Sequence, residues 1–119
     1  YPVQQKQSTI QAMKIAGKGA LMLLSERSIK WQLVAGALIT ITGICVGLTP
    51  FEWALQTLAI GLVLCTEGVN TAIEHLADFV EPKYDLAIGR LKDIAAGAVF
   101  LAAMTALLVA AFIYLPKLV

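Results

Sequence analysis

Three windows of this 119-residue chain carry no charged side chain: Trp31 to Phe51, Trp53 to Thr66 and Ile94 to Pro116. A bilayer's hydrocarbon core is about 30 Å thick and takes about 20 helical residues to cross. The first window, at 21 residues, and the third, at 23, meet that length directly. The second stops at Glu67 and meets it only if the helix runs on through Glu67, Asn70 and Glu74 to about Val80. Charged residues make up 14% and hydrophobic ones 59%, against about 25% charged in ordinary soluble domains. A soluble domain of this size has too much surface for its volume to hide so much apolar area. The expectation is an all-α membrane protein, a single domain over residues 1–119, with transmembrane helices at about 31–49, 53–80 and 94–115. A net charge of +1 gives no footing to a nucleic-acid partner.

Turn signals separate the windows. Gly47-Leu-Thr-Pro50 breaks the chain before Phe51, Glu81-Pro82 ends the second helix, and Pro116 closes the third. The polar stretch Lys83 to Asp93 reads as a loop. Ahead of the first window, Ser8 to Ser28 reads as a further helix, with Ile10, Met13, Gly17, Leu21 and Leu24 on one face, a pattern suited to lying along a membrane surface. No apolar segment precedes a small-residue cleavage site in the first thirty residues, so no signal peptide is expected. Cys45 and Cys65 sit in apolar runs without ligand spacing and read as small packing residues. The small residues of Ala95-Ala-Gly-Ala98 and of Ala102, Ala103, Ala106, Ala110 and Ala111 suit close helix packing in a bundle or oligomer.

Basic residues set the expected orientation. Lys6, Lys14, Lys18, Arg27 and Lys30 precede the first window, and Lys83, Arg90 and Lys92 fall between the second and third. Only Lys117 lies on the other side. The N-terminus should be cytoplasmic and the C-terminus outside, in a multi-pass membrane protein.

The second helix also carries acids. At 100° per residue, Glu67, Asn70, Glu74 and Asp78 fall within about 80° of one another, with Glu67 deepest in the membrane. Ionisable groups at such positions face a protein interior or a wet path and mark function. Carboxylates at a membrane surface could hold Mg²⁺ together with phosphate oxygens, and the deepest could take a proton from a lipid hydroxyl. The same stripe could instead relay protons or cations, or belong to a non-catalytic scaffold. Helical spacing does not choose among these. The sequence lacks a nucleotide-binding G-x-x-x-x-G-K-[ST] and the H-R-D and D-F-G signatures of soluble kinases. His75 reads as a rim residue.

Glu67-Gly-Val-Asn70-Thr-Ala-Ile-Glu74, then Asp78, then Lys92-Asp93-Ile-Ala-Ala-Gly-Ala-Val99 resemble the prokaryotic diacylglycerol kinase and undecaprenol kinase family. That pattern is E-x-x-N-[ST]-A-I-E-x-x-x-D followed by A-K-D-x-[AG]-[AS]-A-V, and Glu26 sits where the family has a glutamate before its first membrane helix. The resemblance covers nearly the whole chain. It implies an ATP-dependent lipid kinase, a homotrimer with active sites shared between neighbouring subunits, acting on undecaprenol or diacylglycerol. Glu67 would be the base and Asn70 would orient the site. Glu26 and Glu74 would hold Mg²⁺ against the ATP phosphates. Lys92 and Asp93 would meet phosphates and ribose, while Asp78, Lys83, Tyr84 and Asp85 would border the nucleoside. The chain departs from the family at Ser28, where many members have asparagine, and at Leu91, where alanine is usual. The Ala-Ala-Gly-Ala run and the Glu52-Trp53 start of the second helix lean toward the undecaprenol branch.

Overall fold

The computed structural model describes residues 8–119. It is all helix: α1 (Thr9–Leu24), α2 (Arg27–Val46), α3 (Pro50–Val80) and α4 (Leu86–Leu118), with no strand among the described residues. Lys6, counted above among the basic residues, lies outside them.

Each boundary has a local cause. Ser8 and Gln11 form a reciprocal capping box at the start of α1. The surface helix was expected to reach Ser28, but α1 stops at Leu24. The Ser25 hydroxyl turns back onto the Met22 carbonyl at 2.7 Å, and Glu26 is extended. The chain then restarts as α2 at Arg27, four residues ahead of the apolar window. Gly47 ends α2 with φ +84, a left-handed conformation that glycine adopts without a Cβ clash. Thr49 and Glu52 form a second capping box, with Pro50 in the first turn of α3 where its missing N–H is no loss.

Of the stretch Lys83 to Asp93, only Lys83 to Asp85 is a loop, and the chain is helical from Leu86 onward. Asp85 caps α4 by accepting from the Ile88 amide at 3.1 Å, so Arg90, Lys92 and Asp93 lie on a helix. At 33 residues α4 is about 50 Å long, well beyond the thickness of a bilayer core. Apart from Lys117 in the last turn, its charged residues Arg90, Lys92 and Asp93 are confined to the first turns, and the apolar stretch between is itself long enough for a crossing. Pro116 does not close α4 either, since the helix passes it and ends at Leu118.

α2 and α4 are long and apolar enough to cross a membrane. α3, at 31 residues, has the length, and its polar and acidic side chains set it apart from the other two. α3 and α4 form the largest helix pair. They run antiparallel: Asp78 meets Lys92 beside the linker, and at the far end Gln56 meets Tyr114 and Glu52 meets Lys117 at 3.0 Å. α2 lies antiparallel on α3, through Ser28 with Thr71 at one end and the Ile39 carbonyl with Gln56 at the other.

α1 touches the bundle on an unexpected face. Its apolar stripe remains open, with Ile10, Met13 and Leu21 each about two-thirds exposed, which suits a membrane surface. Leu23, on the other side of α1, packs onto α3 at Gly68, where an added Cβ would lie only 1.8 Å from Leu23 Cδ1. Cys45 and Cys65 are free and exposed rather than packed. An apolar crevice of about 430 Å³ opens between α2, α3 and α4, lined by Gly36, Ala59, Ala103, Ala106 and Ala110, with Gln32 and Gln56 among its few polar residues.

Candidate active site

The acidic stripe runs along one face of α3 toward the α3–α4 linker. Glu67 is half-buried, Asn70 buried, and Glu74 and Asp78 exposed, so burial peaks at Asn70 and is lost over the last turns of the helix. Asn70 donates from Nδ2 to Glu74 Oε1 at 2.9 Å, a bond between residues one turn apart. Its other amide atom, Oδ1, is buried and has no partner among the described residues. A buried amide oxygen left unpaired is costly and calls for a donor.

Two further contacts bring other elements to this face. Glu26 precedes α2 as its N-cap, but its carboxylate makes no capping hydrogen bond. It reaches instead toward α3, with Oε2 3.8 Å from His75 Nε2, next in sequence to Glu74. On the α4 side, Lys92 Nζ pairs with Asp78 Oδ1. The cation is thereby delivered to the end of the stripe, with both side chains partly in solvent.

The remaining expected residues are less gathered. Tyr84 is 86% exposed in the linker, beside Gly89. Lys83 is exposed, and its backbone amide donates to Glu81 Oε1 at 3.2 Å. Asp85 is engaged as the cap of α4. Asp93 is exposed on α4. Within one chain, no group of three or more His, Cys, Asp or Glu side chains gathers in metal-binding fashion among the described residues. Mg²⁺ does not require one, because it is commonly held by one or two carboxylates plus phosphate oxygens. Glu26, free of capping duty, and the exposed Glu74 are the donors that fit.

Sequence reasoning missed three contacts: Ser28 Oγ to Thr71 Oγ1 at 2.7 Å, Glu26 to His75, and Tyr114 to Gln56. Only the last left a signal, a lone glutamine in an otherwise apolar run.

The described chain is all helix, has two helices long and apolar enough to cross a membrane, and carries carboxylates along a third with a lysine paired at their end. Comparison with known proteins gives the class its chemistry. Residues 14–114 match the family described as prokaryotic diacylglycerol kinase, and the chain belongs to that family. It is 36% identical over 94 residues to the undecaprenol kinase of Bacillus subtilis (strain 168), covering 79% of this chain and 76% of that protein. It is also 33% identical over 76 residues to a diacylglycerol kinase of Sinorhizobium sp, covering 64% of this chain and 56% of that protein. The chain is thus a membrane-associated lipid kinase, which selects phosphoryl transfer over the ion-relay and scaffold alternatives.

Proposed function

We propose that this enzyme transfers the γ-phosphoryl group of ATP to the primary hydroxyl of a membrane lipid alcohol, at the cytoplasmic face of a bacterial plasma membrane. α3 crosses the membrane as the second of three spans, between α2 and α4, with the N-terminus inside and the C-terminus outside. Three copies assemble, and neighbouring subunits share each site. Undecaprenol is the favoured acceptor and diacylglycerol the alternative. The relative matched over the larger share of this chain is named for undecaprenol, and the crevice between α2, α3 and α4 offers apolar surface to a lipid chain.

The observation that carries the reading is Asn70. It is buried, it holds Glu74 through Nδ2, it leaves Oδ1 without a partner, and it stands one turn from the half-buried Glu67. With Nδ2 on Glu74 and Oδ1 open, Asn70 orients the site beside Glu67. Glu67 takes the hydroxyl proton as the lipid oxygen bonds to the γ-phosphorus and the bond from that phosphorus to the bridging oxygen of ATP breaks, releasing ADP. Glu26 and Glu74 hold Mg²⁺, which when bound neutralises phosphate charge. Lys92 exchanges Asp78 for phosphate oxygens. Asp93 contacts the ribose side, and Asp78, Lys83, Tyr84 and Asp85 border the nucleoside, with the exposed Tyr84 ring open to adenine.

The test is a labelled-ATP phosphorylation assay on purified protein, offering undecaprenol and diacylglycerol in parallel, with and without Mg²⁺. Label should enter lipid only with the metal, and Glu67→Gln should remove it. Full-rate labelling by Glu67→Gln would overturn the assignment of the base.

A further inference from the structure

Ser28 departs from the asparagine common in the family, and the structure gives it a partner. Its hydroxyl shares a 2.7 Å hydrogen bond with the hydroxyl of Thr71, forty-three residues away in sequence and on a different helix. Thr71 is buried, at 8% exposed. It follows Asn70 directly and lies three residues before Glu74. Ser28 lies two residues after Glu26, in the first turn of α2. Next to it Ile29 is the most completely enclosed large side chain of the described residues, at 0% exposed. The bond therefore joins the two stretches of backbone that carry Glu26 and Glu74.

On α2 Glu26 is held through its backbone, whose carbonyl accepts from the Ile29 amide at 3.1 Å, and not through its side chain. A serine, threonine, aspartate or asparagine at an N-cap normally turns its side chain onto the helix amides, whereas the Glu26 carboxylate makes no such bond. Among the described residues its one ion-pair partner is His75 at 3.8 Å, too long to hold it firmly. The direction in which Glu26 points is thus set by where the first turn of α2 sits on α3. Buried Ile29 holds that turn against the bundle without directional preference, because apolar packing is non-directional. The Ser28–Thr71 bond supplies the direction.

We propose that Ser28 and Thr71 form a positioning pair that sets the register of α2 on α3, so that Glu26 and Glu74 meet the same metal–nucleotide complex. The inference rests on the assignment of Glu26 and Glu74 to Mg²⁺ made above. Ser28 itself touches neither metal nor nucleotide. Its substitution acts on the metal dependence of the reaction before it acts on the chemical step.

The experiment measures initial rates of lipid phosphorylation against free Mg²⁺ at saturating ATP, using the full chain in detergent–lipid micelles. The variants are Ser28→Ala, Thr71→Val, their double and Ser28→Thr. Thr71→Val keeps the shape of a buried side chain, so it tests the same bond should Ser28→Ala fold poorly. Each single variant is expected to raise the Mg²⁺ concentration for half-maximal rate about fivefold, the worth of one hydrogen bond, with kcat changed much less. The double should be no worse than either single, because both remove one bond. Ser28→Thr, which keeps a hydroxyl, should restore the wild-type midpoint. A merely structural role would lower the melting temperature and the active fraction while leaving the Mg²⁺ midpoint in place, and that result in both single variants overturns the proposal. Glu26→Gln in the same assay separates the two levels. If it shifts the metal dependence and the Ser28 and Thr71 variants do not, only the positioning role fails. If it shifts nothing, the metal assignment fails and takes the positioning role with it.

Discussion

Tyr114 donates its hydroxyl to Gln56 Oε1 at 2.6 Å, tying the far end of α4 to the first turns of α3. Gln56 is only 4% exposed and its amide also reaches the Ile39 carbonyl of α2 at 3.4 Å, so one side chain links three helices. Tyr114→Phe leaves Oε1 buried without its donor, a loss of about 1–3 kcal/mol. The melting temperature in detergent should fall accordingly, and adding Gln56→Leu should recover part of it, because removing both partners is less costly than removing one. Lipid phosphorylation per folded molecule should stay near wild type, since Gln56 and Glu67 are separated by about 16 Å along α3.

Gly68 is the point where α1 rests on α3. An alanine there would place its Cβ 1.8 Å from Leu23 Cδ1 and 3.1 Å from Cγ, so Leu23 or the whole of α1 must move. Overpacking of this kind costs about 1–3 kcal/mol. Gly68→Ala should open the α1–α2 turn to limited proteolysis near Ser25 and lower activity through the neighbouring Glu67. Leu23→Ala in the same chain should reverse both. An unchanged digestion pattern in Gly68→Ala would mean that Leu23 simply swings aside.

Glu67→Gln and Glu74→Gln keep side-chain shape and remove charge. In the Glu74 variant an amide oxygen remains to accept from Asn70, so the fold of the stripe is preserved while its charge is lost. Loss of the base at Glu67 should lower kcat by about 10² to 10⁴ at every Mg²⁺ concentration. Loss of Glu74 should also reduce the rate, but part of it should return as Mg²⁺ is raised. Identical Mg²⁺ profiles for the two variants would contradict their separate roles.

Lys92 pairs with Asp78 where both side chains are partly exposed, at 36% and 65%. Ion pairs in that setting add little stability. Lys92→Met should therefore leave the melting temperature nearly unchanged while raising KM for ATP about tenfold through loss of a charge-assisted phosphate contact. A large drop in stability with unaltered KM would assign the pair to structure instead.

Much of the outline was legible in residue order because it follows from local chemistry. The charge-free windows 31–51 and 94–116 mark α2 and α4, the helices long and apolar enough to cross a membrane, and the stripe Glu67, Asn70, Glu74 and Asp78 follows from 3.6 residues per turn. Gly47-Leu-Thr-Pro50 marks a break, but α3 starts at Pro50 rather than at about residue 53, through cap chemistry that acts within four residues. The loop expected over Lys83 to Asp93 ends at Asp85, because polar composition alone does not exclude a helix. Polarity reports where a segment stands relative to the membrane, whereas Asp85 capping the Ile88 amide decides that it is helical.

The chain's own order of residues therefore settled the two helices able to cross a membrane, the acidic face of α3 and the family. The folded arrangement alone decided that Ser28 finds Thr71, that Glu26 turns toward His75 rather than capping its helix, and that Leu23, off the apolar stripe of α1, packs on Gly68. Periodicity within a helix is fixed by backbone geometry and can be read from sequence. The register between helices depends on side-chain packing between residues of different helices, such as Asp78 and Lys92, 14 positions apart, and Gln56 and Tyr114, 58 apart, and no local pattern records it.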